Sequence, residues 1–295
     1  MPVVVDCAPV FLRTALALFA AASVPAAAAS DGRASVAFVE ATSERDDGKP
    51  ASSMWNVTDD NNGTEWCSAP TAPGKQAINY TFDDNVVVTH VGLMLPHGKD
   101  GTDKRVRRPK RVMVADVEHR VEVNLKDTGD LQLLELSEPA RGRRVVVEIL
   151  ETYPGEKDDS PVCLAEVSLR NKNRELTGDV AARARALNTP SRRLLHEWHD
   201  DLSAPSRTLI FNVDGTFTYR YAPLLEERAP SKVKGKWLAD GDTVALEVGG
   251  KSYLMKTTLT KVADEGGTTV ELALSGDGPD KSMAASFRPA PLLLP

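Results

Sequence analysis

The stretch Val86-Val-Val-Thr-His-Val-Gly-Leu-Met-Leu95 is rich in β-branched and apolar residues and lacks a helical hydrophobic period. Such a run is typical of a β-strand. Similar runs recur at residues 36–41, 77–82, 109–117, 120–125, 131–136, 144–150 and 163–169. Because the Gly, Pro, Asn and Asp residues cluster between these runs, as at 59–63 and 153–155, the sequence predicts an antiparallel sandwich of eight strands.

The composition changes after residue 171. Two short helices are predicted there, one capped by Asp179 and one over residues 190–199. Strands return at residues 209–213, 216–221, 232–238, 243–248, 252–261, 268–275 and 283–287. Tight turns at Asp214-Gly215, Asp240-Gly241 and Gly249-Gly250 join neighbouring runs. We therefore expect this second β region to be an up-and-down antiparallel meander or barrel.

The N-terminus has the pattern of a secretory signal. An apolar stretch of about a dozen residues follows Arg13 and is too short to span a bilayer, and small residues 26–29 precede Ser30. An uncleaved anchor is the alternative. The expected organisation is all-β, with these parts: a signal peptide at 1–29, a jelly-roll binding domain at 30–172, a helical connector at 173–204, a small antiparallel β domain at 205–289 and a tail at 290–295.

Composition limits the classes of function. The 295 residues are 41% hydrophobic and 26% charged, with a formal net charge of -6, as in ordinary soluble proteins. This mild acidity disfavours a nucleic-acid partner. Of the three cysteines, Cys7 precedes the predicted cleavage point, so Cys67 and Cys163 remain in an oxidising compartment. We expect these two to form a disulfide, with two separately buried thiols as the alternative.

Residues 56–67 concentrate oxygen-bearing side chains at close spacing. Asp59, Asp60, Asn61, Asn62 and Thr64 all lie in this segment. Calcium takes six to eight oxygen ligands, although the segment lacks the spacing of an EF-hand loop. An acidic turn without a metal is the alternative.

Four segments together resemble a known superfamily. They are residues 56–67, 108–112, 148–155 and 163–169. In this order they are similar to the discoidin, or coagulation factor V/VIII type C, superfamily with its galactose-binding-like jelly roll. Within it they most resemble the glycan-binding module that accompanies bacterial NAD glycohydrolases. The C-terminal region, with its Gly235-Lys-Trp237 strand, loosely resembles lipocalin-like barrels.

The resemblance implies a structural calcium ion under the first long loop. Asp59, Asn61, Thr64 and Glu166 match the ligand positions, whereas the chain departs from the family pattern at Asp60 and Gly63. It also implies that Trp66 anchors the core beneath the loop and that Cys67 and Cys163 occupy paired positions.

Ligands of this fold bind to loops at one end, here residues 43–55, 96–108 and 152–161. The candidate ligand-binding residues are His97, Arg105, Arg108, Tyr153 and Lys157. Guanidinium groups bind carboxylate, sulfate or phosphate oxygens in pairs, so an acidic glycan or surface polysaccharide is one expected ligand. A solvated charge run beside a strand is the alternative reading of the basic residues.

No catalytic motif emerges from the sequence. His196 and His199 are three residues apart, whereas the helical zinc protease motif places its histidines four apart. Gly-x-Ser-x-Gly and the phosphate-binding Gly-x-x-x-x-Gly-Lys motif do not occur. We therefore expect an exported, non-catalytic glycan-binding protein without a membrane span in its mature form. A cell-surface adhesion protein and an exported hydrolase with its site in the C-terminal domain are the alternatives; the oligomeric state stays open.

Overall fold

A computed structural model of the chain describes residues 36–43, 45, 54–69, 76–99, 101–178, 180, 184, 187, 189–200, 206–223, 230–264 and 267–289. The predicted signal peptide at 1–29 and the tail at 290–295 lie outside these residues, as does most of the first predicted helix. The fold is all-β, as expected: a sandwich is followed by a closed barrel.

Among the residues that the structure describes, eleven strands belong to the sandwich. They are β1 (Val36–Ala41), β2 (Trp66–Cys67), β3 (Gln76–Met94), β4 (His97–Gly98), β5 (Gly101–Thr102), β6 (Arg108–Ala115), β7 (Arg120–Asn124), β8 (Gln132–Tyr153), β9 (Cys163–Leu164), β10 (Glu166–Asn171) and β11 (Arg174–Glu175). A 3-10 helix spans Met54–Thr58. The seven-stranded main sheet has the order β11-β10-β3-β8-β6-β7, and β1 also pairs with β3.

Two long strands build both layers of the sandwich. The first half of β3 pairs with β1 and with residues 144–149 of β8, while its second half pairs with β10 and with residues 132–142 of β8. The register of this pair shifts between Thr81 and Val86 and again between Val88 and His90. Four predicted strands are therefore two continuous ones, because the residues at 83–85 lie within β3 and those at 137–143 lie within β8.

The sandwich core is formed by side chains from both layers. Phe38, Ile78 and Val147 from one layer and Leu93 and Val167 from the other are each fully buried in the same hydrophobic cluster. Strand alternation places such residues on one face and polar residues on the opposite face.

Eight strands form the barrel. They are β12 (Glu197–His199), β13 (Ser206–Phe211), β14 (Thr216–Ala222), β15 (Ser231–Asp240), β16 (Thr243–Val248), β17 (Lys251–Asp264), β18 (Gly267–Ser275) and β19 (Ser286–Pro289). Each pairs with the next, and β12 pairs with β19 to close the barrel. A 3-10 helix at Lys281–Met283 precedes the last strand. The predicted up-and-down order is confirmed.

The barrel interior is filled with side chains. Phe211, Phe217, Tyr219 and Phe287 are at most 1% exposed. An eight-stranded barrel is just wide enough for such a packed core. Gly235 permits close packing there, because a Cβ at this position would lie 2.1 Å from the carbonyl oxygen of Glu247.

The helix predicted over residues 190–199 is wrong in its second half. Only α1 (Thr189–Arg192) is helical, and Glu197–His199 forms β12. Trp198 is 1% exposed and lies opposite Leu209 of β13, so burial in the barrel overrides the local helical preference. The barrel thus begins inside the segment that the sequence assigned to the connector.

The barrel packs against one end of the sandwich. The side chain of Glu40 hydrogen-bonds His196, Arg144 pairs with Glu197 at 3.3 Å, and the backbone N–H of Val213 donates to the carbonyl of Ala37 at 2.8 Å. Among the described residues, no helix is both long and apolar enough to cross a bilayer.

Candidate functional site

The disulfide fastens the sandwich end that lies opposite the barrel. Cys67 and Cys163 are bonded and fully buried, which confirms the predicted pair. They are register partners in the small β2–β9 sheet. Next to them, Ser68 and Val162 exchange hydrogen bonds at 2.8 and 3.1 Å. The first long loop and the segment before β10 are therefore held together at this end.

Two of the three predicted binding loops also meet here. Arg107 donates from its Nε to the carbonyl oxygen of Ser160 at 2.7 Å, and its backbone N–H donates to the carbonyl of Pro161 at 2.9 Å. Loop 96–108 thus packs on loop 152–161. Most of loop 43–55 lies outside the described residues.

Arg108 is not available to a ligand, contrary to expectation. Its side chain is only 2% exposed. The Nε donates to Asp127 at 2.9 Å, and Nη1 donates to the carbonyl oxygens of Asp103 and Val106 at 3.0 and 2.5 Å. The guanidinium is occupied in holding loop 96–108 together, so its role is structural.

Asp127 is the shared acceptor for loop 96–108, and it was not among the residues predicted from the sequence. It accepts hydrogen bonds from Arg108, from Thr102 at 2.9 Å and from Lys104 at 2.5 Å. Burial alone raises its pKa, but the hydrogen bonds from Arg108, Lys104 and Thr102 lower it to about 2. The only sequence signal is an acid in the polar turn at 126–130, a common arrangement on any surface.

Arg105 is the exposed arginine of the basic run. Its side chain is 80% exposed, and its guanidinium forms a bidentate pair with Asp103, in which Nε donates to Oδ1 at 3.0 Å and Nη2 to Oδ2 at 2.7 Å. The hydrogen bonds and the charge of Asp103 raise the pKa of Arg105. The Asp103 carboxylate therefore fixes the orientation of an arginine that still faces solvent.

The remaining candidates lie around Arg105 at the same end. His97 is exposed in the β4–β5 hairpin, and its ring packs so close to Gly129 that a Cβ there would lie 2.5 Å from Nδ1. Lys157 is exposed, and its backbone N–H donates to Ser160 Oγ at 3.1 Å. Tyr153 is half-buried, and its hydroxyl donates to the carbonyl of Leu125 at 2.8 Å. Tyr153 packs partly against the hydrophobic core, and its hydroxyl is occupied.

The residues expected to bind calcium come together. The Thr64 hydroxyl lies 2.9 and 3.0 Å from the two carboxylate oxygens of Asp59 and 3.0 Å from the carbonyl of Asn61. Glu166 Oε2 accepts from the backbone N–H of Asp60 at 3.1 Å and so reaches the same loop from β10. Asp60 has a positive φ of 51°, a left-handed backbone conformation that glycine adopts most readily, so the departure at this position that the sequence showed is accommodated in the loop.

The charge balance of this cluster fits a bound cation. Burial, followed by the charge of Asp59, raises the pKa of Glu166 to about 8. The other charges that raise it, Asp60 and Glu175, are also acidic. Hard oxygen donors with an excess of negative charge are the set that calcium prefers.

The two histidines of the connector do not form a metal site. His196 pairs with Glu40, and His199 Nε2 lies 2.9 Å from Glu197 Oε1. In the part of the chain that the structure describes, the one cluster of three His, Cys, Asp or Glu ligand atoms combines Glu65 with the two disulfide sulfurs. Sulfurs joined in a disulfide are not thiolate ligands.

No family model matches the chain, and no curated protein matches it. Solved structures similar to it include a family 32 carbohydrate-binding module from Clostridium perfringens with GalNAc-β-1,3-galactose, at 18% identity and a TM-score of 0.37, covering 45% of this chain and 94% of that one. Another module of this family and organism, with galactose, has 10% identity and a TM-score of 0.35, covering 46% and 98%. An F5/8 type C domain from Bacteroides fragilis has 15% identity and a TM-score of 0.35, covering 47% and 96%. At these identities and TM-scores the similarity assigns neither a ligand nor a function to this chain.

Proposed function

We propose that the chain is an exported, non-catalytic carbohydrate-binding protein whose sandwich binds glycan at the disulfide end. The observation that carries this proposal is the contrast between the two arginines of loop 96–108. Arg108 is buried and holds the loop, whereas Arg105 is exposed and oriented by Asp103. The loop therefore presents a fixed cationic side chain to solvent.

The surface around Arg105 has the chemistry of a sugar-binding site. His97 and Lys157 add polar groups, and the ring of Tyr153 offers an apolar face on which a sugar can stack. The guanidinium suits a carboxylate or sulfate on the sugar, and for that reason we favour an acidic glycan.

Preorganisation supplies the mechanism. The disulfide, the Arg108–Asp127 pair and the Arg107–Ser160 contact already order these loops, so binding loses little conformational entropy. A calcium ion held by Asp59, Asn61, Thr64 and Glu166 would rigidify the neighbouring loop by neutralising its carboxylates. The role that we propose for this calcium ion is structural.

The test is a glycan array probed with the full chain, followed by titration of the best ligand against two variants. Arg105→Gln removes the exposed guanidinium, and we expect about tenfold weaker binding from the loss of a charged hydrogen bond. Arg120→Gln is the matched control, since Arg120 is exposed on β7 at the barrel-facing end. Its binding should equal that of the unmodified chain.

A folded chain that binds no glycan would overturn the proposal. Equal losses in the two variants would overturn its placement at the disulfide end. Binding to a cell-surface protein that is insensitive to Arg105→Gln would favour the adhesion alternative instead.

A further inference from the structure

A polar cleft lies where the barrel meets the sandwich, at the end opposite the disulfide. Its volume is about 430 Å³, within the range of small-molecule sites. The charged side chains that line it are Arg143, Arg220, Lys234, Lys236, Asp83 and Asp214. Basic groups thus outnumber acidic ones.

Strand alternation explains the basic wall of this cleft. Lys232, Lys234 and Lys236 occupy every second position of β15 and are exposed, whereas Trp237 of the same strand is buried. On β14, Arg220 lies opposite Lys232. Lysines often protect the free edge of a sheet, but β15 is paired on both sides in a closed barrel, so that explanation does not apply.

The positive charges in and beside the cleft are close enough to repel one another. The charge of Lys234, then burial, then the charges of Arg220 and Arg143 lower the pKa of Lys232, against the opposing charge of Asp84. Burial, and then the charges of Arg220 and Arg144, also lower the pKa of Arg143, which Glu197 and Asp83 oppose. An anion in the cleft would relieve this repulsion.

The two acids do not cancel this charge. Asp214 Oδ1 already accepts from the backbone N–H and the hydroxyl of Thr216 at 2.8 and 2.6 Å. The negative charge of Asp83 raises the pKa of Arg143, whose net pKa shift is nevertheless downward. Among the described residues, no ion pair joins an acid to Arg220, Lys234 or Lys236.

A buried acceptor completes the cleft. Asn212 lines it and is 6% exposed. Its Nδ2 donates to Thr216 Oγ1 at 2.9 Å, whereas its Oδ1 is buried without a hydrogen-bond partner. A buried unpaired acceptor is costly, and a ligand hydroxyl would satisfy it.

We propose that this cleft is a second binding site, for a small hydroxylated oxyanion such as a carboxylated or phosphorylated sugar. The anionic group binds between Arg220 and Lys234, with Lys236 and Arg143 adding positive charge. A hydroxyl of the same ligand donates to Asn212 Oδ1. The site shares no residue with the disulfide end and does not depend on glycan binding there.

Calorimetric titration of the full chain tests this site with four probes: glucuronate, glucose 6-phosphate, inorganic phosphate and glucose. We expect at least one anionic sugar to bind more tightly than inorganic phosphate, and glucose not to bind. The tighter of the two sugars identifies the anionic group as carboxylate or phosphate. No binding by either sugar at millimolar concentration would overturn the proposal.

Three variants locate the binding. Lys234→Gln and Arg220→Gln should each weaken it about tenfold, as expected for a lost charged hydrogen bond. Asn212→Asp, nearly the same shape, should weaken sugar binding because its negative charge repels the anion and because it loses the Nδ2–H that donates to Thr216 Oγ1. Lys251→Gln is the control of equal charge change, since Lys251 is exposed at the β16–β17 turn of the same barrel. If Lys251→Gln weakens binding as much as Lys234→Gln, the interaction is non-specific charge attraction and the site is refuted.

Discussion

Arg108 Nε donates to Asp127 Oδ1 at 2.9 Å and thereby joins the first residue of β6 to the turn between β7 and β8. The same guanidinium binds two carbonyl oxygens of loop 96–108. One buried cation therefore fixes two loops at the end that we propose binds glycan.

Removing that cation should destabilise the fold. Arg108→Ala leaves two buried carbonyls without a donor and Asp127 without its main partner, so we expect a loss of roughly 3 kcal/mol in the free energy of unfolding. Urea denaturation of the variant and of the unmodified chain measures this difference in the free energy of unfolding. Arg111→Ala, which breaks more exposed pairs with Glu122 and Glu151, is the comparison and should lower the free energy of unfolding much less, because solvent screens exposed ion pairs. Equal costs would contradict a structural role for Arg108.

Acid should weaken the protein through two carboxylates. The pKa of Asp127 is about 2, and hydrogen bonding from His199 and the charges of Arg144 and Arg143 outweigh burial and lower that of Glu197 to about 2. A lowered folded-state pKa gives stability that is present above the unfolded-state value near 4 and is lost as the pH falls through 2. We expect the two groups to account for roughly 3 kcal/mol of loss between pH 4.5 and 2.

Unfolding free energies at pH 7, 4 and 3 test this dependence. The double variant Asp127→Asn, Glu197→Gln should be less stable at pH 7 and lose less stability on acidification. If the free energy of unfolding of the double variant falls with pH as steeply as that of the unmodified chain, other groups control acid unfolding.

Reduction of the disulfide should lower stability while the native state resists the reductant. The bond joins residues 96 apart in sequence, and closing a loop of this length contributes about 4.7 kcal/mol in the chain-entropy model. Both cysteines are fully buried. We expect dithiothreitol to act only when the sandwich opens, and Cys67→Ser, Cys163→Ser to have a clearly lower Tm. Rapid reduction under native conditions would contradict this protection.

Calcium should stabilise the sandwich through Glu166. Chelator should lower the Tm of the unmodified chain, and added calcium should restore it. Glu166→Gln keeps the shape but removes one charged ligand, so its Tm should respond much less to calcium. Glu135→Gln is the control, since Glu135 lies on β8 outside the Asp59 loop. A calcium response unchanged in Glu166→Gln would place the ion elsewhere.

The strands could be predicted because their side-chain patterns are local. Residues 36–41 and 243–248 form strands with the predicted bounds. The secondary structure of residues 190–199 could not be predicted, because Trp198 reaches the barrel core only when its segment forms a strand beside β13. The continuity of β3 through residues 83–85 also depends on tertiary pairing, and these polar residues look like an ordinary turn.

The site was predictable in composition but not in detail. The basic run at 104–111 contains several similar arginines, and only the packed loops distinguish buried Arg108 from exposed Arg105. The lysines at 232, 234 and 236 show a period of two in the sequence, but their meaning depends on Arg143 and Asp83 of the sandwich, which lie far away along the chain.

Strand β8 connects the two proposed sites directly. Arg143 lies at the barrel-facing cleft and Tyr153 at the disulfide end, ten residues further along the same strand. At about 3.3 Å per residue, the sites are roughly 30 Å apart on a rigid element. A short ligand can therefore occupy only one site, whereas an acidic polymer longer than this span can reach both. For such a polymer the second contact is intramolecular. Avidity should therefore rise sharply once the polymer is longer than the distance between the two sites.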